Sequence, residues 1–307
     1  MTGASGPLRI GTRGSRLALA QTQIVVDALR AARVADDMET VVIRTTGDRI
    51  SEQLPRGGWE DADGQFTGEL ESALLGGAID LAVHSHKDLP TASTPGVTIA
   101  AVLARGDARD CLVVHERANG ALPAGARIGT SSVRRSMQLS AAHPDVEILP
   151  IRGNIDTRMR RLAEGEYDAL LLAAAGLDRL GVAFGEVQKL DFGVMLPAPA
   201  QGALAIQSRV DDVELIRRLA AVDDAATRAA VAAERALLRE VGGGCLAPLG
   251  AFADVDGGSL RLRAAYGESA ASIRRVDVRG VVDEPFELAG RAAAQIRPSG
   301  ATTLATQ

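Results

Sequence analysis

Cysteine is nearly missing from this 307-residue chain, which holds two thiols, Cys111 and Cys245. Two cannot build a disulfide framework, and so sparse a use fits a reducing compartment. Long apolar runs are missing as well. The longest, over 169–175, falls far short of the about 20 residues that cross a bilayer. The opening residues 1–7 hold neither a basic cluster nor an apolar stretch, so no secretory signal is visible. Nor is positive charge in excess: 34 Lys and Arg face 39 Asp and Glu, a net charge of −5. That balance argues against bulk nucleic-acid binding. Together these absences lead us to expect a soluble, cytoplasmic protein with no membrane or nucleic-acid partner. The lack of a long apolar stripe points to a monomer.

What is present is an alternation of short apolar strands and amphipathic helices. With 46% hydrophobic residues the chain can bury real cores, and its length predicts two or three domains. Strands read over 8–12, 40–45 and the apolar first half of 80–90, which Pro90 stops. A helix follows Ser15, with Leu17, Ala20, Ile24, Ala28 and Ala31 as its apolar positions, and a second carries Phe66, Glu69, Leu70, Ala73 and Leu74. Strand, helix, strand, helix, strand implies a mostly parallel sheet. After the strand over 97–103, Arg105-Gly106-Asp107 reads as a crossover into a second domain. There strands over 126–130, 146–151 and 168–173 alternate with helices over 132–142 and 155–164. The rigid Pro197-Ala198-Pro199-Ala200-Gln201-Gly202 leads to a strand over 203–207 that returns to the first sheet. Helices over 211–220 and 225–240, strands over 249–253, 259–265 and 273–281, and a helix over 287–296 follow. The expected fold is α/β with three domains: 1–103 with 201–222, then 104–200, then a small α+β domain over 223–307. Two lobes joined by paired crossovers place a cleft between them, the usual home of a small-molecule site.

The stretch Asp80-Leu81-Ala82-Val83-His84-Ser85-His86-Lys87-Asp88-Leu89-Pro90 concentrates ionisable groups at a strand end, where open α/β sheets place ligands. His84, His86 and Asp88 are two apart, so an extended backbone turns all three to one face, with Lys87 facing away unless the strand has already ended. Asp88 has three readings: a surface turn, part of a metal site, or a lone carboxylate that steadies positive charge on a substrate. Arginines elsewhere weigh on the choice. Arg13 sits at a strand-to-helix junction before the N-cap Ser15. Gly129-Thr130-Ser131-Ser132-Val133-Arg134-Arg135 sets hydroxyls and two guanidinium groups at a helix start, and Arg152-Gly153-Asn154 with Arg158 repeats this one unit later. Cations there oppose the helix dipole, so structure alone gives little reason for Arg134 and Arg135. A site for carboxylate or phosphate does. A cation beside Asp88 would face these arginines, and His115 and His143 stand alone, so no metal is expected. His84 and His86 then read as supporting or packing residues. Cys245 follows three glycines. It reads either as a buried small hydrophobe behind a helix end or as an accessible site of attachment.

Taken together, Arg9-Ile10-Gly11-Thr12-Arg13-Gly14-Ser15, the Val83 to Pro90 stretch, the Gly129 to Arg135 stretch, Arg152-Gly153-Asn154, Gln201-Gly202 and Gly243-Gly244-Cys245 resemble the porphobilinogen deaminase (hydroxymethylbilane synthase) family. The resemblance implies a transferase of tetrapyrrole and haem biosynthesis with porphobilinogen as substrate. Its first two domains would be like a periplasmic binding protein, and the third would carry the cysteine. It implies a dipyrromethane cofactor thioether-linked to Cys245, with Asp88 catalytic. Cofactor contacts fall on Lys87, Ser132, Arg134, Arg135 and Asp88. Substrate contacts fall on Arg13, Ser15, Arg152, Arg158, Phe66 and, by the Gly176-Leu177-Asp178-Arg179-Leu180 match, Arg179. The acidic loop Gly57-Gly58-Trp59-Glu60-Asp61-Ala62-Asp63-Gly64-Gln65 departs from relatives that often carry lysines there. It is expected to act as a cover at most, with Phe66 stacking on a pyrrole. The competing reading is a two-lobed soluble binding protein for a polyanionic metabolite.

Overall fold

The computed structural model describes residues 6–45, 67–118, 122–181, 186–243 and 247–297. In chain order the elements are β1 (Leu8–Thr12), α1 (Arg16–Ala31), β2 (Met38–Val42), α2 (Gly68–Leu75), β3 (Leu81–Ser85) and β4 (Val97–Val102). Next come β5 (Asp110–Val114), β6 (Arg127–Gly129), α3 (Val133–Ala142), β7 (Glu147–Leu149), α4 (Ile155–Ala163), β8 (Ala169–Ala173), α5 (Ala174–Leu180) and β9 (Glu186–Lys189). The chain closes with β10 (Leu204–Arg209), α6 (Val213–Leu219), α7 (Ala225–Glu240), β11 (Leu249–Asp256), β12 (Ser259–Tyr266), β13 (Arg274–Val281) and α8 (Pro285–Ile296).

Three sheets organise the molecule. The first runs β2-β1-β3-β10-β4, the second β7-β6-β8-β5-β9, and the third is the antiparallel meander β11-β12-β13. In the first, β1 is parallel to β2 and β3, while β10 lies antiparallel between β3 and β4. The second repeats the plan, with β6 parallel to β7 and β8, and β5 antiparallel between β8 and β9. In each sheet the antiparallel strand is the one that follows a crossover. The fold is α/β, two lobes and a small α+β unit. No helix among the described residues is long and apolar enough to cross a membrane.

Sequence periodicity places α1 correctly but on the wrong face. Its buried positions are Gln21, Thr22, Val25, Val26 and Leu29, whereas Ile24 is 40% exposed. Polar side chains can turn inward here because each finds a partner. The Gln21 amide exchanges hydrogen bonds with Ser85 Oγ at 2.8 and 3.1 Å, and Thr22 Oγ1 donates to the Ala18 carbonyl at 2.9 Å. β5 was not expected at all. Its five residues are all buried, so no alternation marks it, and Arg105-Gly106-Asp107 just before it reads as a loop. The edge strand β9 and the short helix α5 were equally silent.

The two crossovers lie against each other. Gly106 N donates to Gly202 O at 3.1 Å, and Arg105 Nε to Gln201 O at 2.8 Å. Glu234 of α7, fully buried, ties the third unit to both. It takes Arg105 in a two-pronged pair at 2.6 and 3.0 Å and accepts from Ala200 N at 2.6 Å and Ala253 N at 2.7 Å. Nearby, Phe192 stacks on Phe252 at 4.2 Å, with Arg105 and Arg263 against the rings. The third unit's own core lies between the meander and helices α7 and α8.

Candidate active site

The expected extended run through Asp88 stops early. β3 ends at Ser85, and a single 3-10 turn over His86–Asp88 follows, closed by Leu89 N on His86 O at 3.3 Å. The turn breaks the two-residue alternation, which corrects the expectation that His84, His86 and Asp88 share a face. Lys87 and Asp88 both reach the cleft, while His84 and His86 are buried. Arg235 of α7 holds the turn from behind by donating to the carbonyls of His86, Leu89 and Pro90.

Of the two buried histidines, His84 has a side-chain partner, whereas His86 Nδ1 is buried without a hydrogen-bond partner among the described residues. Glu71 Oε1 accepts from Gln207 Nε2 at 2.8 Å, which leaves Gln207 Oε1 facing His84 Nε2 at 3.1 Å, so His84 carries its proton on Nε2. Burial pushes the pKa of His84 down to about 4 and that of His86 down to about 3. Both rings are neutral at ordinary pH.

Between the lobes lies a cavity of about 690 Å³. Of the residues singled out in the sequence, Arg13, Ser15, Lys87, Asp88, Arg135, Arg158 and Arg179 line it together. Arg16 and Arg44, which sequence reasoning did not single out, line it too. Ser15 caps α1, its Oγ accepting from Ala18 N at 3.2 Å. Ser132 caps α3 in the same way, its Oγ accepting from Arg135 N at 3.5 Å, and does not line the cavity. Arg152 is exposed and also lies outside the lining, as does Arg134. Cys245, Phe66 and the loop over 57–65 lie outside the described residues.

Arg134 and Arg135 have a structural reason that the sequence hid. Asp110, the first residue of β5, is fully buried and takes both: Arg134 Nη1 at 2.5 Å on one oxygen, Arg135 Nε and Nη2 at 3.1 and 2.7 Å on the other. Backbone carbonyls take further donors, Leu196 O from Arg134 and Leu171 O from Arg135. Burial works to raise the Asp110 pKa, but the two guanidinium charges and their hydrogen bonds prevail and hold the carboxyl well below the usual range. The expectation that structure gives little reason for these arginines is therefore corrected. Arg134 is spent on Asp110, while Arg135 is fixed by it with a face on the cleft.

Arg16 pairs with Asp156 at the cleft, whereas Arg158, Arg179 and Lys87 have no such ion pair among the described residues. Arg158 donates from Nε to Gly153 O at 2.7 Å, and its terminal nitrogens have no hydrogen-bond partner among the described residues. Burial lowers its pKa to about 10, helped by the charge of Arg135. Burial likewise brings Arg179 down to about 10 against the pull of Asp178, and its Nη2 donates to Gly202 O at 2.5 Å. Lys87 is brought down to about 8, again chiefly by burial. The enclosed cations Lys87, Arg158 and Arg179, with the Asp88 carboxylate beside them, make a receptor for a ligand with several carboxylates.

Comparisons with known proteins give the family. The family model described as porphobilinogen deaminase, dipyromethane cofactor binding domain, matches residues 8–217, and that of the porphobilinogen deaminase C-terminal domain matches 228–297. The chain is 44% identical to a porphobilinogen deaminase of Roseiflexus sp. (strain RS-1), over 97% of this chain and 98% of that one. It is 52% identical to one of Nocardia farcinica (81% and 70%) and 47% identical to one of Acidothermus cellulolyticus (97% and 90%). Among solved structures it is similar to an ABC transporter periplasmic binding protein from Brucella ovis, with 15% identity, coverage of 78% and 71%, and a TM-score of 0.40. The chain belongs to the porphobilinogen deaminase family.

Proposed function

We infer that the protein is a hydroxymethylbilane synthase. It joins four porphobilinogens head to tail, loses one ammonia at each addition, and releases the linear tetrapyrrole with one water. The observation that carries this reading is Asp88, a single carboxylate presented to a cleft whose other charged lining is almost all cationic. Loss of ammonia from porphobilinogen leaves a cationic ring, and attack by a pyrrole carbon makes a second cation before a proton departs. A fixed carboxylate stabilises both charges and accepts pyrrole N–H hydrogen bonds. It is also placed to help move the proton. Each ring carries an acetate and a propionate, which the guanidinium forks of Arg13, Arg135, Arg158 and Arg179 and the ammonium of Lys87 bind and hold in register. A binding protein for a polyanion would need the cations but not Asp88.

A dipyrromethane fits the same cleft, since its carboxylates need cations and its N–H groups need one acceptor. When bound, it supplies the pyrrole carbon from which the chain grows. Lys87, Asp88 and Arg135 are the lining residues we assign to it, with Ser132 and Arg134 supporting Arg135 from behind. We assign its attachment to Cys245. The other thiol is poorly suited: Cys111 is fully buried, donates to Leu172 O at 3.4 Å, and is pushed up to about 12 by burial. The reading also takes the chain as a cytoplasmic monomer of three domains, 1–103 with 201–222, 104–200 and 223–307.

Intact-protein mass spectrometry tests the assignment. Chain purified from a host that makes porphobilinogen is expected to carry a mass excess equal to two linked pyrroles, absent from Cys245→Ser. A bare wild-type chain contradicts it.

A further inference from the structure

The Gln201-Gly202 pair stands out in the sequence, yet nothing above gives its glutamine a task. Gln201 lies on the second crossover with its side chain fully buried. Its Nε2 donates to Ala108 O at 2.8 Å and to Asp110 Oδ1 at 2.9 Å, with Arg109 O at 3.4 Å. Those neighbours are all acceptors, so the amide can stand only one way round. Its Oε1 is thereby aimed the other way, where Lys87 Nζ donates to it at 3.2 Å. Lys87 follows β3 of the first sheet, whereas Asp110 begins β5 of the second and fixes Arg135. One amide therefore spans the two walls of the cleft.

We propose that Gln201 is a positioning residue: its two ends tie Lys87 to the Asp110–Arg135 pair, fix both cations relative to Asp88, and keep Lys87 in the ammonium form that grips a substrate carboxylate. The proposal rests on the functional reading above. A neutral oxygen suits this place. It gives the ammonium an acceptor without cancelling its charge, and the amide nitrogen satisfies Asp110. A carboxylate at 201 would pair with Lys87 but repel Asp110. The charged groups that act on Lys87 are Asp88 beside it, Asp110 on β5, and Arg134 and Arg135 on α3. Arg235 on α7 stands behind the same turn.

The sequence offers a direct readout, because Lys87 and Lys189 are the chain's two lysines. Lys189 pairs with Asp107 at 2.9 Å, and that hydrogen bond raises its pKa, so the two titrate far apart. Nuclear magnetic resonance of the full, lysine-labelled protein follows Lys87 directly, with Lys189→Arg to assign the signals. The wild type is expected to titrate near pH 8. Gln201→Met removes the acceptor and should lower that midpoint by about one unit, whereas Gln201→Glu should raise it by a similar amount. The alkaline limb of kcat/KM for porphobilinogen should move with it in each direction, and Gln201→Met should lose about tenfold in kcat/KM at neutral pH. A purely structural role would lower activity and melting temperature but leave the Lys87 midpoint in place. An unmoved midpoint in either folded variant overturns the proposal. So does a wild-type spectrum with no cross-peak between the Lys87 ammonium and the Gln201 side chain, a measurement that needs no variant to fold. Wild-type protein that fails to turn over porphobilinogen sinks the functional reading instead, and the midpoints still decide the contact.

Discussion

At the scale of single residues, Asp110 decides more than any side chain the sequence advertises. It is 24 positions from Arg134, and no local pattern links them. The sequence therefore shows two arginines at a helix start, where they oppose the dipole, and invites an external anion as the explanation. The anion that fixes them is internal. Removing it leaves two buried guanidinium groups unpaired, so Asp110→Ala should cost about 3–5 kcal/mol in urea unfolding. Because the folded-state pKa of Asp110 is depressed, its stabilisation is complete above the ordinary carboxylate pKa and fades as pH falls through and below it. Unfolding free energy measured from pH 6 down to 3 should therefore fall less steeply in an Asp110→Asn chain than in the wild type. His84 reads as a supporting or packing residue already in the sequence, but its partners do not show there. Its partners Gln207 and Glu71 sit 123 and 13 positions away, and it is they that make it a packing residue.

At the scale of elements, local pattern located nearly every helix and strand, and it failed where a neighbour overrode the pattern. α1 was found by its period, but its buried face follows from hydrogen bonds to Ser85 and Ala18 that no periodicity encodes. β3 was found as an apolar run, but its end at Ser85 was not. The single turn after it puts Lys87 beside Asp88 in the cleft, and Arg235 from another unit holds that turn. Gly202 is the element-scale position where side-chain size matters most. It has φ +90°, and a Cβ there would stand 2.6 Å from Gly106 O, a backbone atom of the other crossover. Gly202→Ala is expected to cost more than about 2 kcal/mol from strain and displacement combined. It should also weaken substrate binding, because the Gly202 carbonyl holds Arg179. Denaturant unfolding and a raised KM for porphobilinogen check the two effects separately.

At the scale of the whole molecule, two kinds of contact hold the units together, and they differ greatly in weight. Glu234 is fully buried and satisfies Arg105 and two backbone N–H groups drawn from different units. Glu234→Ala orphans all of them and should both lower stability by several kcal/mol, of order 3–5, and split a single calorimetric transition into two. Arg16 and Asp156, by contrast, bridge the mouth of the cleft at 3.1 Å with side chains 55% and 44% exposed. Exposed pairs are worth under about 1 kcal/mol, so Asp156→Ala should leave unfolding almost unchanged. The plan of lobes, crossovers and cleft was legible in the sequence because short apolar strands alternate with helices. The joints were not, since they depend on single buried groups far apart in the chain. The central claim is that Asp88, set among cleft cations, drives condensation of porphobilinogen. Incubating wild-type and Asp88→Asn protein with porphobilinogen, then oxidising in acid and reading uroporphyrin absorbance, tests it most directly. The account predicts product from the wild type and loss of most of it in Asp88→Asn with the fold intact; equal product from both chains, or none from the wild type, contradicts it.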